Sequence, residues 1–450
     1  MVCALFAAPL SAGGPYWART YGTGYTQFLR DMTVLPNGSV IAVGSTYVKG
    51  SFYEDAFAME LSPDGNVTWA RTYGGKWDDF GHAVATTRDG RILIAGTAQS
   101  FGSTGAWLMS IAPNGTLLWG KLYRGKYLTG FTSLTTARNG DIVAGGWIDL
   151  TPNASDTDEF FVVRTDSTGR VKWANTYGGH FTGDVRAVAM TKDGDIFVVG
   201  SHIWGREDII VLKLRPNGSV IWAKLYRDKM SSEVSSIAIT PNGGLVIAGT
   251  VMEPLRTFVL RIDPNGKLLW ARHYSPENGG QINAVAVAPG GDILLAGNAS
   301  VQGEITDLWA LLITPTGSLK WSEACGGKFG EWATAATAPD EGEFWVGGLT
   351  LSFGRGYGDI WLLHVPSSGK WECKLCKNLN VTVSPADFSV VPVDVKTSPL
   401  DTPTESVHIS EKEWNLTTKT QCFSRPSHSI CGPAILLLLT LLPMMARRRK

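Results

Sequence analysis

The 450-residue sequence is poor in the residues that announce a chemistry. Its seven histidines are scattered, and no H-E-x-x-H, G-x-S-x-G or phosphate-cradling glycine loop occurs, which removes the common metalloprotease, serine-hydrolase and nucleotide-binding signatures. Forty basic and forty acidic residues cancel, so no overall field favours nucleic acid or an anionic surface. No stretch before the C-terminus repeats with helical period, which excludes a helical domain. Only five glutamines occur, a compositional hint of a thermophilic source. What is abundant is glycine, 52 residues, beside 44% hydrophobic residues. That mixture fits a turn-rich globular chain rather than a disordered one.

Eight tryptophans stand at near-equal intervals: Trp17, Trp69, Trp119, Trp173, Trp222, Trp270, Trp321 and Trp371. A period near fifty residues marks a repeat architecture. Within each repeat a glycine turn such as Pro36-Asn37-Gly38 or Lys192-Asp193-Gly194 follows the tryptophan at fixed spacing. A second, such as Pro63-Asp64-Gly65 or Pro264-Asn265-Gly266, ends four residues before the next tryptophan. Asn-Gly and Asp-Gly between apolar runs are hairpin signals. The intervening runs (AVAVAP, DILLAGN, DIIVLKL, SVIWAKLY) alternate or are β-branched. Each unit therefore reads as four short strands, A to D, and the fold class is all-β: a seven-bladed β-propeller of four-stranded blades. The tryptophans on strand D then serve packing between blades.

Seven A-B-C sets face eight tryptophan-bearing segments, so one strand is in excess. Tyr16-Trp17-Ala18-Arg19-Thr20-Tyr21-Gly22 keeps the full motif, whereas Gly369 lies only two residues before Trp371. The expectation is that the N-terminal strand completes the last blade and closes the ring. The alternative makes residues 371–376 strand D of blade seven.

Four regions result. Residues 1–14 (MVCALFAAPLSAGG) read as the remnant of a signal peptide lacking its basic start. Residues 15–376 form the propeller. Residues 377–430, rich in Thr, Ser and Pro, read as a stalk or a small strand-rich module, because prolines interrupt the Val-rich stretches. Residues 431–450 are Cys431-Gly432-Pro433, an aliphatic run and Arg447-Arg448-Arg449-Lys450, a short apolar tail helix that would contact a membrane with its basic end cytoplasmic. Eight N-x-S/T sequons (Asn37, Asn66, Asn114, Asn153, Asn217, Asn298, Asn380, Asn415) agree with export.

Two resemblances attach to these residues. The Cys-Gly-Pro, aliphatic run and basic cluster resemble the CGP-CTERM sorting tail of archaeal surface proteins, which implies surface retention with Cys431 as lipid-attachment position. WARTYGG, AVATTRDGRILIAGT and WLMSIAPNGTLLW resemble the SBBP-type β-propeller repeats of prokaryotic proteins. That likeness covers residues 16–371 and implies fold and location but no shared activity. Neither the sialidase Asp-box nor the quinoprotein pattern fits Ser62–Trp69 or Asp263–Trp270, and no cofactor is implied.

Cys373 and Cys376 form a C-x-x-C without a second pair, a weak case for zinc. In an exported protein Cys325, Cys373, Cys376 and Cys422 are disulfide candidates, their connectivity open. Cys325 stands where six earlier motifs carry a tyrosine four residues after the tryptophan. The Asp156-Thr157-Asp158-Glu159 loop reads as a solvated acidic loop rather than a calcium site.

Strand alternation puts the D–A and B–C loops on one face and the tight turns on the other. The loop face varies in length, which favours it for function. Seven residues after the tryptophan, in five of seven units, come Lys76, Lys126, His180, Lys229 and Lys328; eight residues after, in five units, come Tyr25, Trp77, Tyr127, Phe181 and Phe329. Lysines attract carboxylates or phosphates and aromatics stack on sugars. The sequence thus points to a membrane-anchored, exported binding or structural module for an anionic glycan, peptide or surface protein. The alternative is an extracellular hydrolase using Asp78, Asp79 and Asp184 on the same loops.

Overall fold

The computed structural model describes residues 16–424 apart from 49, 152–158, 179–182, 203–206, 254, 303–304, 341, 355–356, 370–372, 401, 403 and 415. Its strands form seven antiparallel sheets. Blade 1 shows the plan: strand A is Gln27–Val34, B is Val40–Tyr47, C is Glu54–Leu61 and D is Val67–Gly74. Strand A of each blade packs against strand A of both neighbours, so the sheets stand radially around a ring. The protein is a seven-bladed β-propeller, and no helix occurs among the described residues.

Tyr16–Gly22 pairs antiparallel with Asp359–Pro366, as strand D of blade 7. Ring closure therefore uses the N-terminal strand, and residues 371–376 do not serve as that strand. Gly369 keeps its own duty: it ends the turn that follows strand C of blade 7, at the place of the C–D turns, and lies under Trp321.

The conserved spacing within the motif W-x-x-x-Y has one physical cause. Strand D of each blade leans over the C–D turn of the next. Tyr21, Tyr123, Tyr177, Tyr226 and Tyr274 each donate a 2.7 Å hydrogen bond to the carbonyl of that turn's glycine, and Tyr73 does likewise to Gly115. Trp17, Trp69, Trp173, Trp270 and Trp321 donate their indole N–H to the carbonyl two residues before that glycine. Gly169 shows why glycine is needed: its φ is +75°, and a Cβ would sit 3.0 Å from Trp119 and 2.9 Å from the Tyr123 oxygen. The seventh position, Cys325, lacks a phenol and is bonded instead to Cys376.

The segment read as a stalk or a small strand-rich module is a belt, neither projecting away nor folding by itself among the described residues. Cys376–Asn378, Val381–Pro385, Ser389–Pro392, Lys396–Pro399, Thr404–Ser406, Ser410–Glu413 and Thr417–Ser424 add a fifth strand to blades 6, 5, 4, 3, 2, 1 and 7 in that order. The chain thus circles the ring once, against the order in which it built the blades. Each blade has five strands, not four.

The belt advances seven residues per blade. The N–H groups of Leu379, Ala386, Val393, Leu400, Val407 and Trp414 donate to Ser322, Ala271, Ala223, Ala174, Gly120 and Ala70, in each case the residue after the motif tryptophan. These residues, with Val381, Phe388, Val395, Ile409 and Leu416 two positions on, plug the outer ends of the gaps between blades. Burying apolar side chains there gains about 25 cal/mol per Å² removed from water, which is what holds an otherwise polar segment to the ring. Pro385, Pro392 and Pro399 do not break the strands. Ala386, Val393 and Leu400 direct their N–H groups inward, so the preceding proline nitrogen faces outward, where a missing donor protects the sheet edge from further pairing.

Two disulfides fasten the belt. Cys325–Cys376 pins its start to strand D of blade 6, and Cys373–Cys422 joins its start to its end. The second closes a covalent hoop around the propeller.

Candidate functional site

The loop face is built from the D–A loops, which cross from the outer strand of one blade to the inner strand of the next, and from the B–C loops beside them. At the junction of blades 1 and 2 the brace is Asp79. Its buried carboxylate accepts the N–H groups of Gly75 (2.8 Å), Gln99 (3.1 Å) and Ser100 (3.3 Å), and the Ser100 hydroxyl (2.5 Å). Ser100 in turn accepts the N–H of Trp77 at 2.8 Å. Glu331 repeats this brace at the junction of blades 6 and 7, holding Gly327 at 3.0 Å, while Ser352 accepts the N–H of Phe329 at 2.7 Å.

Lysine and ring come together at three junctions, two of them so braced. Lys76 lies 5.3 Å from the centroid of Trp77, Lys126 5.2 Å from Tyr127 and Lys328 5.5 Å from Phe329. Trp77 and Phe329 are 42% and 53% exposed, and Tyr25, at the junction between these blades, is 39% exposed. The rings therefore occupy four consecutive junctions, 6/7, 7/1, 1/2 and 2/3. The arrangement is an arc rather than a full circle.

The other positions differ. Lys229 turns outward to Asp387 of the belt at 3.3 Å, an exposed ion pair, so it belongs to belt attachment rather than to the arc. Glu277 and Asn278 occupy the matching positions after Trp270. His180 and Phe181 lie outside the described residues, as do Cys431 and Asp156–Asp158.

The carboxylates considered for hydrolysis are engaged structurally. Asp79 is fully buried, and burial raises its pKa above the usual carboxylate range despite four hydrogen bonds. Burial, then the charge of Asp79, raises Asp55 to about 6. Asp78 accepts the N–H of Glu54 at 2.8 Å, and Asp184 lies 3.6 Å from Arg186. Burial and then Glu331 raise Asp307 to about 6 in the same place between blades 6 and 7.

A central channel of about 230 Å³ runs inside the ring. Strand A of every blade carries a β-bulge, and the extra residue lines the channel: Arg30, His82, Thr132, Arg186, Ser235, Asn283 and Thr334. Three of these knit the ring: Thr132 donates to Val185, Asn283 to Ala333 (2.8 Å) and Thr334 to Leu29 (2.8 Å), each a carbonyl of the next blade. Asp31 beside the bulge accepts Met32 and Val84 N–H groups at 2.8 Å, and burial raises it to about 6. Burial and then Arg30 push His82 down to about 4, so it is neutral at pH 7. Glu233, 3.0 Å from Arg186, pairs the second channel arginine.

The four cysteines divide as Cys325–Cys376 and Cys373–Cys422, so the C-x-x-C bonds outward in both directions and presents no thiolate pair. Glu323 lies beside the first bond, whose sulfurs are no longer metal ligands. No helix among the described residues is long and apolar enough to cross a membrane.

With this geometry, the chain is a β-propeller repeat protein. The family model of the WD domain, G-beta repeat, matches residues 172–202, strand D of blade 3 with the first two strands of blade 4. No curated protein matches the chain. Among solved structures it is similar to a protein of unknown function from Dyadobacter fermentans DSM 18053 (10% identity, 76% of this chain, 95% of the other, TM-score 0.47). It is similar also to puromycin hydrolase (14%, 72% and 50%, 0.47) and to Sqt1 from Chaetomium thermophilum (12%, 77% and 97%, 0.41).

Proposed function

We propose that the protein is an exported, surface-held binding module that takes an anionic ligand, a carboxylated or sulfated glycan or an acidic peptide, on its loop face. The observation that carries this reading is the arc of three lysine–aromatic pairs, Lys328/Phe329 at junction 6/7, Lys76/Trp77 at 1/2 and Lys126/Tyr127 at 2/3, with the exposed ring of Tyr25 at 7/1 between them. A ring supplies a stacking surface for a sugar or apolar face, and the neighbouring ammonium supplies charge attraction. At junctions 1/2 and 6/7 the loops that carry these groups are held by the buried carboxylates of Asp79 and Glu331, so little ordering cost falls on binding there. The two disulfides support the exported setting, since such bonds persist in oxidising compartments. The carboxylates of the same loops are engaged in bracing, which supports binding without catalysis.

The test is an array of neutral, carboxylated and sulfated glycans together with acidic peptides, probed with the full chain. Binding should concentrate on the anionic members, weaken with salt, and fall at least tenfold on replacing Lys76 and Lys126 together by alanine. Binding confined to neutral members, or unchanged by the double substitution, overturns the reading.

A further inference from the structure

Five of the eight N-x-S/T sequons unabsorbed by the function above can be sorted by structure into usable and unusable acceptors, and a sixth lies on the belt. Asn114 and Asn217 sit at the tips of C–D turns, exposed, each followed by an exposed hydroxyl residue, Thr116 or Ser219. The Asn114 side-chain oxygen accepts the N–H of Thr116 at 3.1 Å, and that of Asn217 accepts the N–H of Ser219 at 3.1 Å and its hydroxyl at 2.8 Å. Asn66 holds its oxygen toward Arg19 at 2.9 Å, with Thr68 exposed. In all three the oxygen is fixed while Nδ2, the atom a glycan would occupy, has no protein acceptor among the described residues. Asn380 and Thr382 are exposed on the outer rim.

Two sequons fail the same test. Asn298 is 7% exposed within a strand and accepts from Asn283. Asn37 is exposed, but its partner hydroxyl residue Ser39 is only 5% exposed, so a transferase reading the folded chain cannot reach it.

We propose that the folded protein is N-glycosylated at Asn66, Asn114, Asn217 and Asn380, and not at Asn37 or Asn298. Three of the four acceptors lie on the turn face, opposite the lysine–aromatic arc, so carbohydrate attached there leaves the arc open. The donor class is a polyprenyl-phosphate-linked oligosaccharide. The bond formed joins Asn Nδ2 to the anomeric carbon of the first sugar. The bond broken joins that carbon to a phosphate oxygen, which leaves with the electron pair as Nδ2 gives up one proton. A glycan on Nδ2 preserves the oxygen as acceptor, so the turns keep their hydrogen bonds.

The inference rests on the exported reading, and one sample separates the two. The full chain is isolated from its own cells, thiols are blocked by alkylation without reduction, and peptides are mapped by mass spectrometry. Glycan mass on Asn66, Asn114, Asn217 and Asn380, with bare Asn37 and Asn298, is the expected result. Thr116→Ala should remove one glycan mass and Thr116→Ser should retain it. Bare acceptors in a protein with four oxidised cysteines overturn the glycosylation and leave export standing. Bare acceptors with alkylated Cys325, Cys373, Cys376 and Cys422 overturn both. Glycan on Asn298 or Asn37 overturns the selection by folded structure.

Discussion

The phenol of Tyr123 on blade 2 donates a 2.7 Å hydrogen bond to the carbonyl of Gly169 in the C–D turn of blade 3. Both groups are buried. Tyr123→Phe leaves that carbonyl unsatisfied and should lower stability by about 1–2 kcal/mol. Chemical denaturation of the full chain reads this directly, with Tyr25→Phe on the exposed loop as a control expected to change nothing. Equal midpoints for Tyr123→Phe and wild type would show that the motif tyrosines act through packing alone.

The hoop invites a second measurement. Joining Cys373 to Cys422 constrains a loop of 49 residues, for which the chain-entropy relation gives about 4 kcal/mol. Replacing both cysteines by serine should leave the propeller folded while the belt becomes the first segment cut by a protease. Cleavage first within residues 16–366 would contradict the assignment of the belt as the layer released early.

Phe388 is the belt residue seated deepest between blades 4 and 5, 7% exposed and 5.6 Å from the ring of Phe258. Phe388→Ala should cost about 3 kcal/mol, near the lower end for a buried phenylalanine because the site lies at the rim. Amide exchange is expected to rise along Ser389–Pro392 and in strand D, Val220–Arg227, of blade 4 beneath it. Exchange raised uniformly over the whole ring would mean that the belt does not attach blade by blade.

Acid should help rather than harm one junction. The folded-state pKa of Asp55, about 6, exceeds its ordinary 3.8 because it is buried beside Asp79. The folded protein therefore keeps a proton that the unfolded chain releases, and this stabilisation is complete below about pH 4 and lost as pH rises through 6. Asp55→Asn should accordingly raise the thermal midpoint relative to wild type near neutral pH and make little difference near pH 4. A shift that is the same at both pH values would locate the effect outside ionisation.

The ring was legible because its rules are local. Trp69 and Gly115 meet through contacts repeated in every unit, and each contact fixes a spacing that can be counted along the chain. Closure by Tyr16–Gly22 followed from the same count. The belt obeys a rule as strict, but its period of seven delivers only two apolar residues per blade between short polar strands. That pattern matches neither strand alternation nor a helix, so Leu379, Ala386, Val393, Leu400, Val407 and Trp414 carry no sign in the sequence that they belong to the ring rather than to a stalk or a separate small module. The prolines argue against strands in the sequence, because nothing there says that a strand will be outermost. At the loop face, counting past each tryptophan found the arc. It could not tell that Lys229 would meet Asp387, because that partner lies 158 residues away on the belt.

The belt runs against the order in which a ribosome delivers the blades. Blade 6 receives its outer strand first, and blade 7 last, from Thr417–Ser424 lying against Tyr16–Gly22. A nascent chain can therefore assemble the ring but finish no blade until more than 370 residues have emerged. A ribosome halted within the belt would leave the outer edge of blade 7 bare, then blade 1, then blade 2. Quality control at the rim of this molecule thus tests whether translation reached residue 424, not whether any one blade has folded.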